Sequence, residues 1–395
     1  MDRRDNKGRI LRTGESQRPN GRYRYTWRQS GKQRETGAGT LRELRLKEAN
    51  IKMDCYDGIA SGHETVNDIY DRYMQSNPTW RNTTRSNYKY MYGKYVYGEI
   101  GVMQVRNVKY SDIKMFYNRL IEKDKLSIGS VGVIHTILHP VFDMAVRDNY
   151  IRLNPADGVM KEIKRSHNWS RPHRRALTVT EQINFMSYVR KSRVYGHWAP
   201  IFITLLGTGC RIGELLGLTR ADCDFENNTV SINHNLVYKS LDGKCEMHIN
   251  DTKTDAGIRY VPMVKAVRNA LLEQWKISVK RQDCNYEIDG YSKFIFVNRE
   301  GHVHNPMAVN RAIKRILRSY NNEFELKPIR MFSVHNLRHT FCARLCENEC
   351  NIKVIQELMG HSDISITMNI YAEITQEKKQ DVLGRLEEKI LLEEM

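Results

Sequence analysis

The chain has 395 residues, 40% hydrophobic and 28% charged, with 63 Lys and Arg against 46 Asp and Glu, a formal net charge of +17. That length predicts two or three domains at roughly 100–200 residues each, and the lack of an apolar run near the ~18 residues that span a bilayer argues against a membrane protein. The cationic surplus attracts polyanions by counterion release, which makes nucleic acid the leading partner, although ribosomal, membrane-surface and heparin-type binders share the trait.

The opening Met1-Asp2-Arg3-Arg4-Asp5 is charged with no apolar stretch behind it, so no secretory signal is expected and a cytoplasmic location follows. The first sixty residues hold 15 Lys and Arg against eight acids. Within them, Gly21-Arg22-Tyr23-Arg24-Tyr25-Thr26-Trp27-Arg28 alternates with period two and predicts a strand. One face presents Arg22, Arg24 and Arg28 while Tyr23, Tyr25 and Trp27 pack behind, a geometry suited to a sheet in a DNA groove; the alternative is a solvated basic face. Leu41, Leu44, Leu46 and Ile51 predict a helix over 41–53 that covers this sheet.

A linker is expected over 54–62. Thr65 then opens a helical pattern through Val66, Ile69 and Tyr73, followed by helices over Thr83–Tyr97, Ser111–Glu122 capped by Ser111, and Ser127–Asn149. Between 161 and 176 apolar periodicity fades while Lys161, Lys164, Arg165, Arg171, Arg174 and Arg175 crowd around Pro172, which reads as a basic interdomain linker able to touch phosphate. From Leu177 to about Ala372 the pattern mixes helices around 180–193, 198–207, and from 213, 266, 306 and 336 with strands at 229–238 and 258–264. The tail from Gln376 to Met395 carries Val382, Leu386 and Ile390 four apart on an acidic helix, too little surface for a domain.

The eight cysteines lack disulfide-framework spacing. Cys342, Cys346 and Cys350 fall on one helical face where thiolates could hold a metal, but no His or Cys partner follows at zinc-site spacing, so the small-core-residue reading is preferred and no metal is expected. A nucleotide-binding glycine loop is likewise missing, and no cofactor is expected.

Three stretches carry chemistry. In Thr208-Gly209-Cys210-Arg211-Ile212-Gly213-Glu214-Leu215 an arginine stands at the mouth of an apolar helix, where its planar fork can hold two phosphate oxygens; alone, it could equally form a structural Arg–Glu pair. In His335-Asn336-Leu337-Arg338-His339-Thr340 the i, i+3 spacing sets His335 beside Arg338. In Leu358-Met359-Gly360-His361-Ser362 a histidine precedes Tyr371 by ten residues.

Together and in this order, Arg211…His335-x-x-Arg338…His361…Tyr371 resembles the tyrosine recombinases, the lambda-type integrases, over residues 177–372. The resemblance implies that Tyr371 is the nucleophile, that Arg211, Arg338, His335 and His361 surround the scissile phosphate, that Lys253 in Asp251-Thr252-Lys253-Thr254 is the hairpin lysine, and that Glu214 steadies the site. It implies a multidomain, mainly α fold with small β-sheets: a small α+β arm-site DNA-binding module over 1–60, a helical core-site domain over 63–160, the linker 161–176, a mixed α/β catalytic domain over 177–375, and the tail helix 376–395 for protomer contact. This arrangement looks like the integrases of conjugative transposons. The resemblance further implies double-stranded DNA as partner, a homo-tetramer on two duplexes exchanging strands through a Holliday junction, and room for accessory directionality or DNA-bending proteins. A type IB topoisomerase would share the tyrosine chemistry on one duplex. An idle architectural DNA binder explains the charge but not five ordered motifs.

Overall fold

The alternating N-terminal segment forms the strand expected of it. A computed structural model of the chain describes residues 3–29, 31–59, 62–170, 175–241, 244–252, 255–283, 286–348 and 351–372. Its contacts divide it into two units, Met1–Arg171 and Pro172–Met395.

In the first unit β1 (Glu15–Gln17), β2 (Tyr23–Gln29) and β3 (Lys32–Ala38) make an antiparallel sheet with β2 central. Tyr23 and Tyr25 are buried with Leu41 and Leu44 of α1 (Leu41–Tyr56), whereas Arg22 and Arg28 are exposed. The Thr40 hydroxyl caps α1 by accepting from the Glu43 N–H at 3.2 Å, an interaction whose loss costs about 1 kcal/mol.

A helical bundle follows: α2 (Val66–Gln75), α3 (Asn82–Tyr95), α4 (Tyr110–Glu122), α5 (Ile128–Arg147) and α6 (Val159–Ser166). Thr65 and Asp68 start α2 as a reciprocal capping box: the Asp68 N–H donates to the Thr65 hydroxyl at 3.2 Å and the Thr65 N–H to the Asp68 carboxylate at 2.7 Å. At 20 residues, α5 is long and apolar enough by composition to cross a bilayer. Instead it is the central helix, packed against α2, α3, α4 and α6 with Ile134, Ile137, Leu138, Val141 and Phe142 fully buried. Ser127 caps it, its hydroxyl accepting from the Ser130 N–H at 3.1 Å.

Two local expectations are corrected. Ser111 is not the cap of α4; the helix begins at Tyr110, and the Asp112 carboxylate takes the Lys109 N–H at 2.9 Å, which leaves Ser111 inside the first turn. Residues 161–166, read as linker, are the last turns of α6, because Val159, Met160 and Ile163 form an apolar strip buried in the bundle core.

The second unit contains α7 (Val179–Lys191), α8 (Ala199–Thr208), α9 (Ile212–Gly217), β4 (Cys223–Asp224), β5 (Thr229–Ile232), β6 (His234–Leu241), β7 (Lys244–Asp251), β8 (Arg259–Pro262), α10 (Lys265–Arg281), β9 (Glu287–Ile288), β10 (Tyr291–Ser292), α11 (Pro306–Glu323), α12 (Val334–Asn348) and α13 (Ile352–Met359), after which residues 364–372 are helical. α8 is apolar nearly all round and therefore central, touching α7, α9, α10 and α12. The strand expected over 229–238 is two. β5 joins the sheet β4-β5-β8 while β6 pairs with β7 in a hairpin, and the break falls at Asn233, whose amide donates to Asp222 at 3.0 Å and Ser231 at 3.1 Å.

Candidate active site

The site begins where α8 stops. Gly209 ends that helix with φ +62°, and a Cβ there would lie 2.3 Å from the Phe341 ring, so the chain turns at a glycine for both dihedral and space. Two residues later Arg211 occupies the N-cap of α9. Glu214, in the first turn, accepts from the Arg211 backbone N–H at 2.9 Å and from its guanidinium at 2.6 Å, which fixes the side chain in place while leaving it 44% exposed. α9 lies close on the hairpin: a Cβ at Gly213 would sit 2.4 Å from the Leu236 carbonyl oxygen, so glycine is what lets the helix approach.

Arg338 of α12 enters from the other side and is buried. It donates to the carbonyl oxygens of Gly209, at 2.6 Å, and Met359. No carboxylate bonds it among the described residues. Burial, then the positive charge of Arg211, pulls its pKa down to about 10, which leaves it charged near neutrality.

A third guanidinium, absent from the sequence expectations, completes the cluster. Arg259 of β8 is buried and donates to Glu214 at 2.8 Å, to the Leu358 carbonyl at 3.0 Å and to the Gly257 carbonyl at 3.1 Å. It ties the β8 edge and the end of α13 to the carboxylate that holds Arg211. Burial pushes the Glu214 carboxyl up, but the Arg259 charge and hydrogen bond, with Arg211, outweigh it and hold it below its ordinary range. Arg211 and Arg259 share one carboxylate while Arg338 is held only by carbonyl oxygens, so the pocket is strongly cationic and suited to a phosphate.

His361 lies in this field, buried two residues beyond Met359. Burial and then the charges of Arg338, Arg211 and Arg259 push its pKa down to about 3, so the ring is neutral. Its Nδ1 is 2.9 Å from the hydroxyl of Thr367, on the helical segment 364–372 that also carries Tyr371. Tyr371 is half-buried against a small cluster formed by Cys342, Cys346, Ile355, Met359 and Ile370. His335 sits in the first turn of α12, one turn ahead of Arg338, with its ring edge-on to His339 at 5.4 Å.

Thus Arg211, Glu214, Arg338 and His361 meet, with Arg259 added. Lys253 lies outside the described residues, as do Arg171, Arg174 and the tail 376–395. Of the arginines expected to contact DNA elsewhere, Arg22, Arg28 and Arg165 are exposed on the first unit. Arg24 pairs with Glu35 at 3.3 Å, and Arg175, on the second unit, pairs with Glu181 at 2.6 Å. Cys342 and Cys346 are buried in the cluster beside Tyr371, and Cys350 is outside the described residues. In the bundle His139, Asp143 and Asp157 converge within 4.8 Å, but each imidazole nitrogen already meets a carboxylate, at 3.0 and 2.8 Å, which describes a local polar network.

Residues 176–378 match the phage integrase family, and residues 1–55 match the DNA-binding domain of Tn916 integrase. The transposase from transposon Tn1545 of Streptococcus pneumoniae is 32% identical across 97% of this chain and 96% of its own length. The transposase from transposon Tn916 of Enterococcus faecalis is 31% identical with the same coverage. Among solved structures, the Tn1549 transposon integrase in complex with a circular intermediate DNA superposes with a TM-score of 0.70 at 27% identity, covering 80% of this chain and 99% of that one. A lambda integrase dimer on a core site shares the fold, with a TM-score of 0.51 at 19% identity over 92% of this chain and 95% of that one.

Proposed function

The chain belongs to the phage integrase family and is a tyrosine site-specific recombinase of a mobile element, and from that premise we propose that Tyr371 cleaves DNA by attacking a phosphate held by Arg211 and Arg338. The observation that carries this is the meeting of Arg211, Arg338, Arg259 and neutral His361 around one carboxylate, with the Tyr371 helix bonded to that histidine.

A free phenol titrates near pH 10, so at pH 7 its phenolate is present at roughly one part in a thousand, a deficit of about 4 kcal/mol. A cationic pocket favours the phenolate and neutralises charge building on the phosphoryl oxygens. The phenol oxygen bonds to phosphorus, the bond to the deoxyribose 5′ oxygen breaks, and a 3′-phosphotyrosyl ester and a 5′ hydroxyl result. His335 takes the phenolic proton, Lys253 supplies one to the leaving oxygen, and His361 donates to a non-bridging oxygen. One ester replaces another, so rejoining is the same step reversed with a new 5′ hydroxyl and requires no nucleotide.

We assign residues 1–60 to distal arm sites, 63–160 together with the last turns of α6 that carry Arg165 to the core site, and the basic residues Arg171, Arg174 and Arg175 that follow α6 in the chain to phosphate contacts. Exposed Arg22 and Arg28 and the match of residues 1–55 support the first of these. Solved relatives include the Tn1549 integrase on a circular intermediate DNA and a lambda integrase tetramer on a Holliday junction. By that analogy this chain acts as a homo-tetramer on two duplexes in the bacterial cytoplasm, with the tail 376–395 contacting a neighbouring protomer and accessory proteins setting direction.

The test is the full-length Tyr371→Phe variant on a nicked suicide substrate. It should bind DNA as the unaltered protein does and form no denaturant-stable adduct; adduct formation by the variant overturns the assignment.

A further inference from the structure

The hydroxyl that meets His361 is on the same helical segment as Tyr371, at i−4 from it, and therefore on the same side of that segment. Thr367 has no exposed surface. Buried helical threonines elsewhere in the chain donate to their own helix four residues back: Thr204 to Pro200 at 2.8 Å, Thr208 to Thr204 at 2.6 Å and Thr340 to Asn336 at 2.8 Å. Among the described residues Thr367 makes no such bond, and its hydroxyl is committed to His361 Nδ1. A neutral imidazole offers one donor and one acceptor, and the partner of one nitrogen decides which nitrogen carries the proton.

We propose that Thr367 is a positioning residue for cleavage: its hydroxyl donates to Nδ1 of His361, fixes the ring as the Nε2–H tautomer that can donate to a phosphate oxygen, and latches the Tyr371 helix to the phosphate pocket. Resting on the reading that Tyr371 is the nucleophile, this gives the pocket and the nucleophile a direct polar link. The neutral state of His361, set by burial among Arg338, Arg211 and Arg259, agrees with it, because an imidazolium would reverse the direction of that hydrogen bond. Ile364, Ile366 and Met368 are exposed, and Ile370 and Tyr371 rest on the small cysteine-containing cluster.

The experiment compares full-length Thr367→Val, which keeps shape and removes the hydroxyl, with Thr367→Ser, which keeps the hydroxyl and removes the methyl, each alone and with His361→Ala. Covalent adduct formation on the suicide substrate and DNA binding are both measured. Expected is an adduct rate lowered roughly tenfold or more in Thr367→Val with DNA binding unchanged, and a rate within about threefold of normal in Thr367→Ser, as loss and retention of one catalytic hydrogen bond imply. In the His361→Ala background Thr367→Val should add less than about twofold, since the residue acts through that ring. A normal rate in Thr367→Val, failure of Thr367→Ser to restore it, or full additivity with His361→Ala overturns the proposal. Absence of adduct in the unaltered protein, or adduct mapped to another residue, defeats instead the reading of Tyr371 on which it stands.

Discussion

Replacing Glu214 by Gln removes the negative charge that pairs with Arg211 and Arg259 while changing side-chain volume little. Glu214 and Arg259 have side chains 4% and 5% exposed and meet at 2.8 Å, and orphaning one partner of a buried pair costs about 3–5 kcal/mol. Arg211, 44% exposed, adds at most about 1 kcal/mol after solvent screening. Taking about 3 kcal/mol, and about 2–4 °C per kcal/mol for a domain of this size, the unfolding midpoint should fall by roughly 6–12 °C. Calorimetry on the full-length chain reads this, with the transition of the other unit as internal reference. The carboxyl titrates below its ordinary value in the folded protein, so its stabilisation is complete above about pH 4.5 and disappears as pH falls through the folded value. Variant and unaltered protein should therefore converge in acid below pH 4.5. A midpoint shift under about 2 °C at pH 7 would refute the view that Glu214 organises the pocket, as would a Glu214→Gln/Arg259→Met double variant as unstable as the two single costs added.

Arg211→Lys keeps the charge but cannot make the two-pronged contact, so cleavage should fall at least about tenfold with DNA binding retained; near-normal cleavage contradicts a phosphate-gripping role. His361 is neutral in the fold down to about pH 3 but gains a proton near pH 6.5 when unfolded, so stability should fall as pH drops from 6.5 toward 3. Urea titrations at pH 7 and 5 should show a smaller loss in His361→Asn; an identical loss contradicts the buried neutral ring. Deleting residues 1–60 should spare cleavage at core sites and weaken binding to distal sites, as gel-shift titration on the two DNAs would show; unchanged binding at both removes the arm-site role.

The pocket was legible in the sequence to the extent that short ordered motifs carry a family resemblance: the structure brings together Arg211, Glu214, Arg338 and His361, residues that the resemblance named. Arg259 was not, because in Gly257-Ile258-Arg259-Tyr260-Val261 hydropathy puts Ile258 and Tyr260 inside, whereas they are exposed and the arginine is buried. The available signal was parity: Arg259, Val261 and Met263 alternate onto one face, and the last two are core residues. Thr367 was illegible for a different reason, since a hydroxyl's choice between its own helix and a neighbouring ring is settled only by packing. The same limit explains α6, whose apolar strip began two residues before the basic run that dominated the reading.

The two peptide oxygens that clasp Arg338 come from chain positions 150 residues apart, Gly209 and Met359, and neither carries a compensating charge. The cation is thereby oriented without being neutralised, and its full attraction remains for a visiting anion. Before DNA arrives the cluster repels itself; an occupied pocket should be the tighter one, drawing the turn after α8 and the end of α13 together. Substrate then acts as a structural clamp on the very segments that present it, and slowed amide exchange around Gly209 and Gly360 on DNA loading is the mark such clamping would leave.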